Sequence, residues 1–297
     1  TKELNLTENQ MSILDMHSFL NIMNILMGEI QLFESENEDN MDLKASLSLS
    51  IKIKNSLSEN SFELISIEKF NDYKNFILSS LDNLSRTNSK FNETNNIDPN
   101  FENIKLIFKV LEIRLIELKT RREHPDKWDN FTLDDLRSSL TTFFGAVEKN
   151  SNGRYHIVYN IAKQEEKDYL VDIKIESFNN KTVFMPLVFR DVIRDISANA
   201  RKYTHLGGEI KVGLWDDGNK LTLVVQDNGK GIPENELDSV VEFGKRATNV
   251  ASQVTKGAGF GLTKAYFVTK RYKGRMWIKS EVNKGTRIKI EIPHPKD

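Results

Sequence analysis

The stretch "LTLVVQDNGKGIP", residues 221–233, decides the reading of this chain. Its first six residues alternate and run apolar, as a buried strand does. An aspartate, Asp227, stands where that strand ends, and two glycines, Gly229 and Gly231, follow it closely. A carboxylate at a strand end can be offered to a hydrogen-bond donor, and glycines let backbone approach whatever carries that donor. Taken alone the motif reads more readily as a turn than as a site, so its meaning depends on its neighbours.

Upstream, "GEIKVGLW" and "KLTLVVQ" form a hairpin around "DDGN", a strong turn signal. Downstream, "GRMWIKSEV" and "TRIKIEI" are two further strands around "NKG". "YHIVYNIA" and "YLVDIKIES" also read as strands. Helices are expected over "TLDDLRSSLTTFFGAVEK", over "PLVFRDVIRDISANARKYT" (186–204) with Pro186 at its first position, and over "TKAYFVTKRY" (263–272). Helices and an antiparallel or mixed sheet in this order predict an α+β sandwich over residues 126–297.

Three more segments of this half call for explanation together with the first. "GAGFGL" (257–262) leads into a helix, and glycines before a helix N-terminus leave free N–H groups and a dipole suited to phosphate. "RDISANARKYT" (194–204) places Asp195, Asn199 and Lys202 at i, i+4 and i+7 on one helix face. An acid, an amide and a lysine suit a metal–phosphate site, and a solvated helix face is the plainer alternative. "NKGTRIKIEIP" (283–293) is a turn and a strand.

Jointly, in order and spacing, the four segments resemble the ATP-binding domain shared by sensor histidine kinases, gyrase B, Hsp90 and MutL. "NARKYT" is especially similar to the histidine-kinase version. The resemblance implies ATP and Mg²⁺ as cofactors. It implies that Asn199 holds Mg²⁺ through its side-chain oxygen, that Lys202 contacts phosphate and that Tyr203 lines the nucleotide site. Asp227 accepts the adenine amino hydrogen, Gly229 and Gly231 shape the adenine side, and Thr286 supports that pocket. Gly257, Gly259 and Gly261, with Leu262, form the phosphate side. Residues 232–256 are the lid, within which "EFGKRAT" offers Lys245 or Arg246 to the γ-phosphate. Asp195 stands where the kinases commonly carry Asn and the ATP-hydrolysing relatives Glu, so it is a candidate magnesium contact or weak base.

The first half of the chain is different in kind. Residues 8–34 read as one long helix in which Ile13, Met16, Leu20, Met23, Met27 and Ile30 recur at 3/4 spacing. Phe19, Ile22, Leu26 and Phe33 form a second stripe, and together the two cover roughly 160° of the circumference. Leu14, Ile25 and Leu32 add apolar surface beyond that arc. The polar strip that remains is His17, Asn21, Asn24, Gly28 and Gln31. A helix this apolar needs neighbours on several sides, so residues 1–125 are expected to form a helical bundle, completed by a second helix, a dimer mate, or both. Residues 101–122 and 69–87 also read as helices. Residues 46–54, "SLSLSIKIK", alternate as a strand would, while their neighbours favour a helix. "ESENEDN" (34–40) and "SKFNETNNIDPN" (89–100) read as polar linkers.

Beside a kinase-like ATP domain, this half looks like a homodimeric histidine-phosphotransfer domain. The resemblance then implies His17 as phosphoacceptor, a response-regulator receiver domain as partner, and Asn21 as the residue that positions water when the regulator is dephosphorylated. Two departures accompany it. Ser18 follows His17 where related kinases place Glu or Asp, and residues 35–100 exceed a hairpin turn, as an inserted helical element would. The competing readings are a nucleotide-binding module acting as response-regulator phosphatase or scaffold, and an ATP-gated machine with Asp195 as its base.

Composition narrows the rest. The 297 residues suit about two domains. A net charge of −1 gives no cue for nucleic acid or anionic membrane as a partner. The absence of cysteine excludes disulfides and thiolate chemistry and fits a cytoplasmic protein. No apolar run reaches the ~18 residues that span a bilayer, and no signal peptide opens the chain. The chain opens on Thr1 rather than Met, as expected of a fragment or processed product with a sensor or membrane segment elsewhere.

Overall fold

The structure is a computed structural model and describes residues 5–36, 40–58, 67–87, 99–149, 151, 153–251 and 259–296. The chain divides into two compact units, one running from Leu6 to Pro125 and the other from Asp126 onward.

The first unit consists, among the described residues, of α1 (Glu8–Glu36), α2 (Met41–Ser58), α3 (Ile67–Thr87) and α4 (Pro99–Glu123). Each helix packs on the next, and α4 returns to α1, so four helices close a bundle within one chain. The neighbours that the apolar α1 requires are therefore supplied by α2, α3 and α4, without a second copy. At the centre, Phe70 meets Phe19, Tyr73 and Phe108 with ring centroids 6.4, 6.2 and 6.3 Å apart. Met16, Met23, Leu26, Ile30, Leu111 and Leu115 extend this core along the bundle.

Residues 46–54 are helical. The period-two alternation misleads because the buried face of α2 carries serines: Ser46 and Ser50 are fully buried with Leu43, while Ile51 is exposed. Ser50 Oγ donates to the Ser46 carbonyl at 2.7 Å and lies 2.9 Å from the Tyr73 hydroxyl, so its hydroxyl is satisfied on the buried helix face, while the Ser46 hydroxyl makes no hydrogen bond among the described residues. The linker expected at 34–40 is shorter, since α1 runs to Glu36 and α2 starts at Met41. Most of the one expected at 89–100 lies outside the described residues.

The second unit begins with β1 (Trp128–Thr132) and α5 (Leu133–Lys149). It continues through β2 (Ile157–Val158), β3 (Tyr169–Ser177), β4 (Thr182–Pro186) and α6 (Phe189–Tyr203). The hairpin β5 (Glu209–Asp216) and β6 (Lys220–Asp227) leads to the short α7 (Thr248–Ala251). Helix α8 (Phe260–Arg271) and strands β7 (Arg275–Glu281) and β8 (Gly285–Pro293) complete it. Six strands form a mixed sheet in the order β2-β3-β5-β6-β8-β7, with β2–β3 and β3–β5 parallel and the rest antiparallel. One face carries Val171, Val212, Leu214, Leu221, Leu223, Ile288, Ile290 and Ile292 into a core shared with α5, α6 and α8.

Two local expectations are corrected. Pro186 ends β4 rather than opening a helix: β4 pairs antiparallel with β1, Pro186 opposite Trp128, and Leu187 N–H donates to the Lys127 carbonyl at 3.0 Å. Helix α6 starts only at Phe189. "YHIVYNIA" yields two strand residues, because Asn160 Oδ1 accepts the Ala162 N–H at 3.0 Å and turns the chain into a 3₁₀ turn over Ile161–Lys163.

The two cores draw on separate residues. Phe70→Ala is expected to lower the stability of the helical unit by about 3–5 kcal/mol. Amide hydrogen exchange should record faster exchange in α1 and α4 with β6 and β8 unchanged; equal loss in both units would contradict independent cores.

Candidate functional site

Three elements of the second unit bring the candidate residues together. The first is α6. Val192, Ile196 and Ala200 are buried on its sheet side, and Asp191, Asp195 and Asn199 follow one another at four-residue intervals. Asn199 is half-buried, and its amide makes no hydrogen bond among the described residues. An amide left without a protein partner suits a ligand, and its oxygen is a hard donor fit for Mg²⁺. Among the described residues no group of three or more His, Asp or Glu is placed to hold a metal ion. Mg²⁺ bound mainly by substrate phosphates, water and one protein oxygen is consistent with that. Lys202 lies with Nζ 5.0 Å from the centroid of the Tyr203 ring.

The second element is the N-terminus of α8. Gly259 is its N-cap, in the left-handed region at φ 78°, and no side chain caps the helix. Backbone N–H groups at the start of a helix point along its axis and suit an anion. A Cβ on Gly261 would stand 2.8 Å from Asn199 Nδ2, so only glycine lets this turn approach the Asn199 amide so closely. Gly257 lies outside the described residues.

The third is the end of β6. Asp227 Oδ1 accepts the N–H of Gly229 at 2.9 Å and that of Thr286 at 3.3 Å. Oδ2 takes no hydrogen bond among the described residues. Gly229 sits where a Cβ would be 2.3 Å from the Tyr203 carbonyl, and a Cβ on Gly231, at φ 66°, would be 2.0 Å from the Glu281 carbonyl. The sequence reading missed Ser280, whose hydroxyl accepts the Ile232 N–H at 2.8 Å, donates to Gly285 O at 2.9 Å and lies 2.9 Å from Thr286 Oγ1. One serine thus ties the Asp227 loop to the β7–β8 turn; it lies on the less exposed side of β7 with Met276 and Ile278, and nothing in sequence singles it out.

Between these elements lie residues 232–251. Val240, Ala247 and Val250 form a small apolar cluster with Tyr203, Ile232, Leu262 and Ile278. Glu236 holds the start of α7 by accepting the Thr248 N–H at 2.8 Å and the Thr248 hydroxyl. Arg246 Nη2 donates to the Val250 carbonyl at 2.9 Å, within its own segment, whereas Lys245 is exposed. Phe243 and Phe260 pack with ring centroids 4.6 Å apart, joining the lid segment to α8.

The helical unit holds the other two candidates. His17 and Asn21 are both half-buried on α1. Asn21 Nδ2 lies 3.0 Å from His17 Nε2. An amide nitrogen only donates, so Nε2 is the acceptor and the ring is in the tautomer with its lone pair at Nε2. The expected polar strip is only in part the open side of α1: Leu14 is buried, while Ile25 and Leu32 are exposed.

With this geometry established, comparison with known proteins identifies the class. Residues 186–296 match the family described as histidine kinase-, DNA gyrase B-, and HSP90-like ATPase. The matched residues lie within the second unit, which is similar to the ATP-binding domain of that family. The chain is similar to sensor histidine kinase RppB of Synechocystis sp., 29% identical over 189 residues, which are 64% of this chain and 37% of that protein. It is similar to the signal transduction histidine-protein kinase ArlS of Staphylococcus aureus, 32% identical over 128 residues, 43% of this chain and 28% of that one. Among solved structures, a mycobacterial sensor histidine kinase, MprB, is 19% identical over 56% of this chain and 97% of that chain, with a TM-score of 0.40. The chain spans less than two fifths of the length of these two curated relatives. No described helix is long and apolar enough to cross a membrane.

Burial pushes the Asp227 carboxyl up from the ordinary 3.8 to about 6, against the opposing pull of the Gly229 and Thr286 N–H groups. The folded protein therefore keeps this proton up to about pH 6 while the unfolded chain releases it near pH 4. Stability is lost as pH rises through that window, and the cost, about 3 kcal/mol, stands in full above it. Asp227→Asn keeps an acceptor for both N–H groups and removes the charge. It is expected to raise the thermal midpoint of the nucleotide-free protein by several degrees at pH 7.5, with the gain vanishing below about pH 4. Calorimetric melts across pH test this, and an Asp227→Asn protein no more stable than wild type at pH 7.5 would contradict it.

Proposed function

We propose that this chain is an ATP-dependent protein-histidine kinase. His17 takes the γ-phosphoryl group of ATP and passes it to an aspartate in the receiver domain of a response regulator. The observation that carries this reading is the presence, beside an ATP-binding domain of this family, of a helix on which His17 Nε2 is presented as a lone-pair acceptor to the Asn21 amide at 3.0 Å. The sensor histidine kinases similar to this chain support it.

In this reading residues 1–125 are the dimerisation and histidine-phosphotransfer domain, with 35–100 as an insertion, and 126–297 are the catalytic ATP-binding domain. Asp227 Oδ2 accepts the adenine amino hydrogen, with Gly229, Gly231 and Thr286 shaping that side. Tyr203 and Leu262 line the nucleotide site. Lys202, Arg246 and the glycine backbone leading into α8 (Gly257, Gly259 and Gly261) face the phosphates. Asn199 would hold Mg²⁺, which supplies charge neutralisation on the transferring phosphoryl group when bound. His17 Nε2 leaves the Asn21 amide and attacks the γ-phosphorus in line. The N–P bond forms as the bond from γ-phosphorus to the bridging oxygen breaks, and that electron pair goes to the β-phosphate of ADP. The cationic ring then sheds its Nδ1 proton. Asn21, one turn along from His17, positions water for dephosphorylating the regulator.

We assign a homodimer as the working form, supported by an exposed apolar ridge on α4 formed by Leu106, Val110, Ile113 and Ile116. A cytoplasmic location fits the absence of cysteine. One feature favours a second reading. Ser18 occupies the place of the acid that related kinases use to orient the histidine or take its proton, and a hydroxyl is a poor base. A module of that kind binds nucleotide and acts as response-regulator phosphatase or scaffold with little autokinase activity.

Incubation of the wild type and His17→Gln with γ-labelled ATP and Mg²⁺, followed by acid and alkali treatment, separates the two. Label that is acid-labile, alkali-stable and absent from His17→Gln is the expected result. No label on a wild type that binds nucleotide would replace the kinase by the phosphatase or scaffold.

A further inference from the structure

A buried charge cluster lies between α6 and α8, and the roles assigned above leave it unused. Lys264, in the second turn of α8, is 2% exposed. Its Nζ lies 2.9 Å from Asp191 Oδ2 and 3.9 Å from Asp195 Oδ2. Asp191, also 2% exposed, is held from its other side by Arg194. Asp195 is partly buried, with Oδ2 shielded from solvent. Lys264 and Arg194 thus set cationic groups against the two carboxylates in a region where an unpaired ion is costly.

The position of Asp195 gives the cluster its consequence. Asp195 is one helical turn before Asn199, about 6 Å along the axis, on the same face. Asn199 in turn is closely approached by Gly261 in the first turn of α8. A triphosphate seated between the Asn199 amide and that terminus would meet the field of the Asp195 carboxylate at close range, where like charges repel strongly. Lys264 is too deeply buried to reach the anion itself. Its ammonium is directed to the two aspartates.

We propose that Lys264 is a positioning residue whose ammonium counter-charges Asp195, so that α6 carries a carboxylate beside the phosphate side of the nucleotide site without repelling the bound anion. The inference rests on the nucleotide-site reading above. It also removes Asp195 as a water-activating base, because the Lys264 pair draws the carboxylate toward α8 and shields Oδ2. The same pair clamps the second turn of α8 to α6 and so holds Gly261 against Asn199.

Equilibrium binding of Mg·ATP to wild type, Lys264→Met, Asp195→Asn and the double variant tests this as a double-mutant cycle. Lys264→Met should weaken binding at least tenfold. Asp195→Asn should improve affinity at least tenfold more in the Lys264→Met background than in wild type. If Lys264→Met fails to fold because Asp191 loses its partner, the same cycle is run with Asp191→Asn in all four proteins, and the same coupling is expected. Additive effects, or an unaltered Kd in Lys264→Met, would overturn the inference while leaving the nucleotide site in place. A wild type that binds no Mg·ATP would overturn the nucleotide-site reading, and this inference with it.

Discussion

The second unit depends on a set of backbone approaches that only glycine permits. Gly229 lies against the Tyr203 carbonyl, Gly231 against Glu281 and Gly285 against Asp227, each where a Cβ would collide with backbone, while Gly261 lies close to the Asn199 side chain. Gly231 and Gly285 also require left-handed backbone, with φ of 66° and 105°. These contacts draw the C-terminus of α6, the end of β6, the β7–β8 turn and the N-terminus of α8 around one region. The carboxylate of Asp227 is the side chain most affected. It is buried where its ionised form is disfavoured, and two N–H groups on a single oxygen hold it in place. A stable fold gains nothing from such a charge, and a buried, perturbed carboxylate of this kind fits the proposed role of receiving a ligand's donor on its other oxygen.

The helical unit answers a different constraint. Helix α1 is apolar over so much of its circumference that it must be surrounded, and α2, α3 and α4 do this within one chain. The segment between α1 and α4 is thus structural as well as additional: it completes the bundle. What stays open on α1 is a face with His17 and Asn21 toward one end and Ile25 and Leu32 toward the other. That face sets the proposed phosphoacceptor beside apolar surface, an arrangement suited to a partner that both docks and reacts.

Much of this was legible in the sequence where a motif forces a backbone conformation. "DNGKGIP" and "NKGT", with the described Gly259 and Gly261 of "GAGFGL", mark close backbone approaches, and the residues beside them share one region. The elements misread were those where tertiary context outweighs local pattern. "SLSLSIKIK" alternates with period two, yet it is a helix because its buried face is lined with serine. Pro186 resembles a helix start and is the end of a strand, because the short partner strand Trp128–Thr132 gave no sequence signal. Ser280 and Lys264 escaped notice for a related reason. Each acts through a residue distant in sequence, and a lysine within a helix reads as exposed until its aspartates are seen across the interface.

The most direct test of the account is equilibrium binding of ATP and GTP to the wild-type protein in the presence of Mg²⁺, read by calorimetry. A carboxylate oxygen awaiting an amino donor accepts adenine and meets an oxygen acceptor in guanine. The account predicts a preference for ATP of at least a hundredfold, on the order expected when a buried polar group loses its partner. Binding of GTP within threefold of ATP would contradict it, and with it the placing of adenine at Asp227.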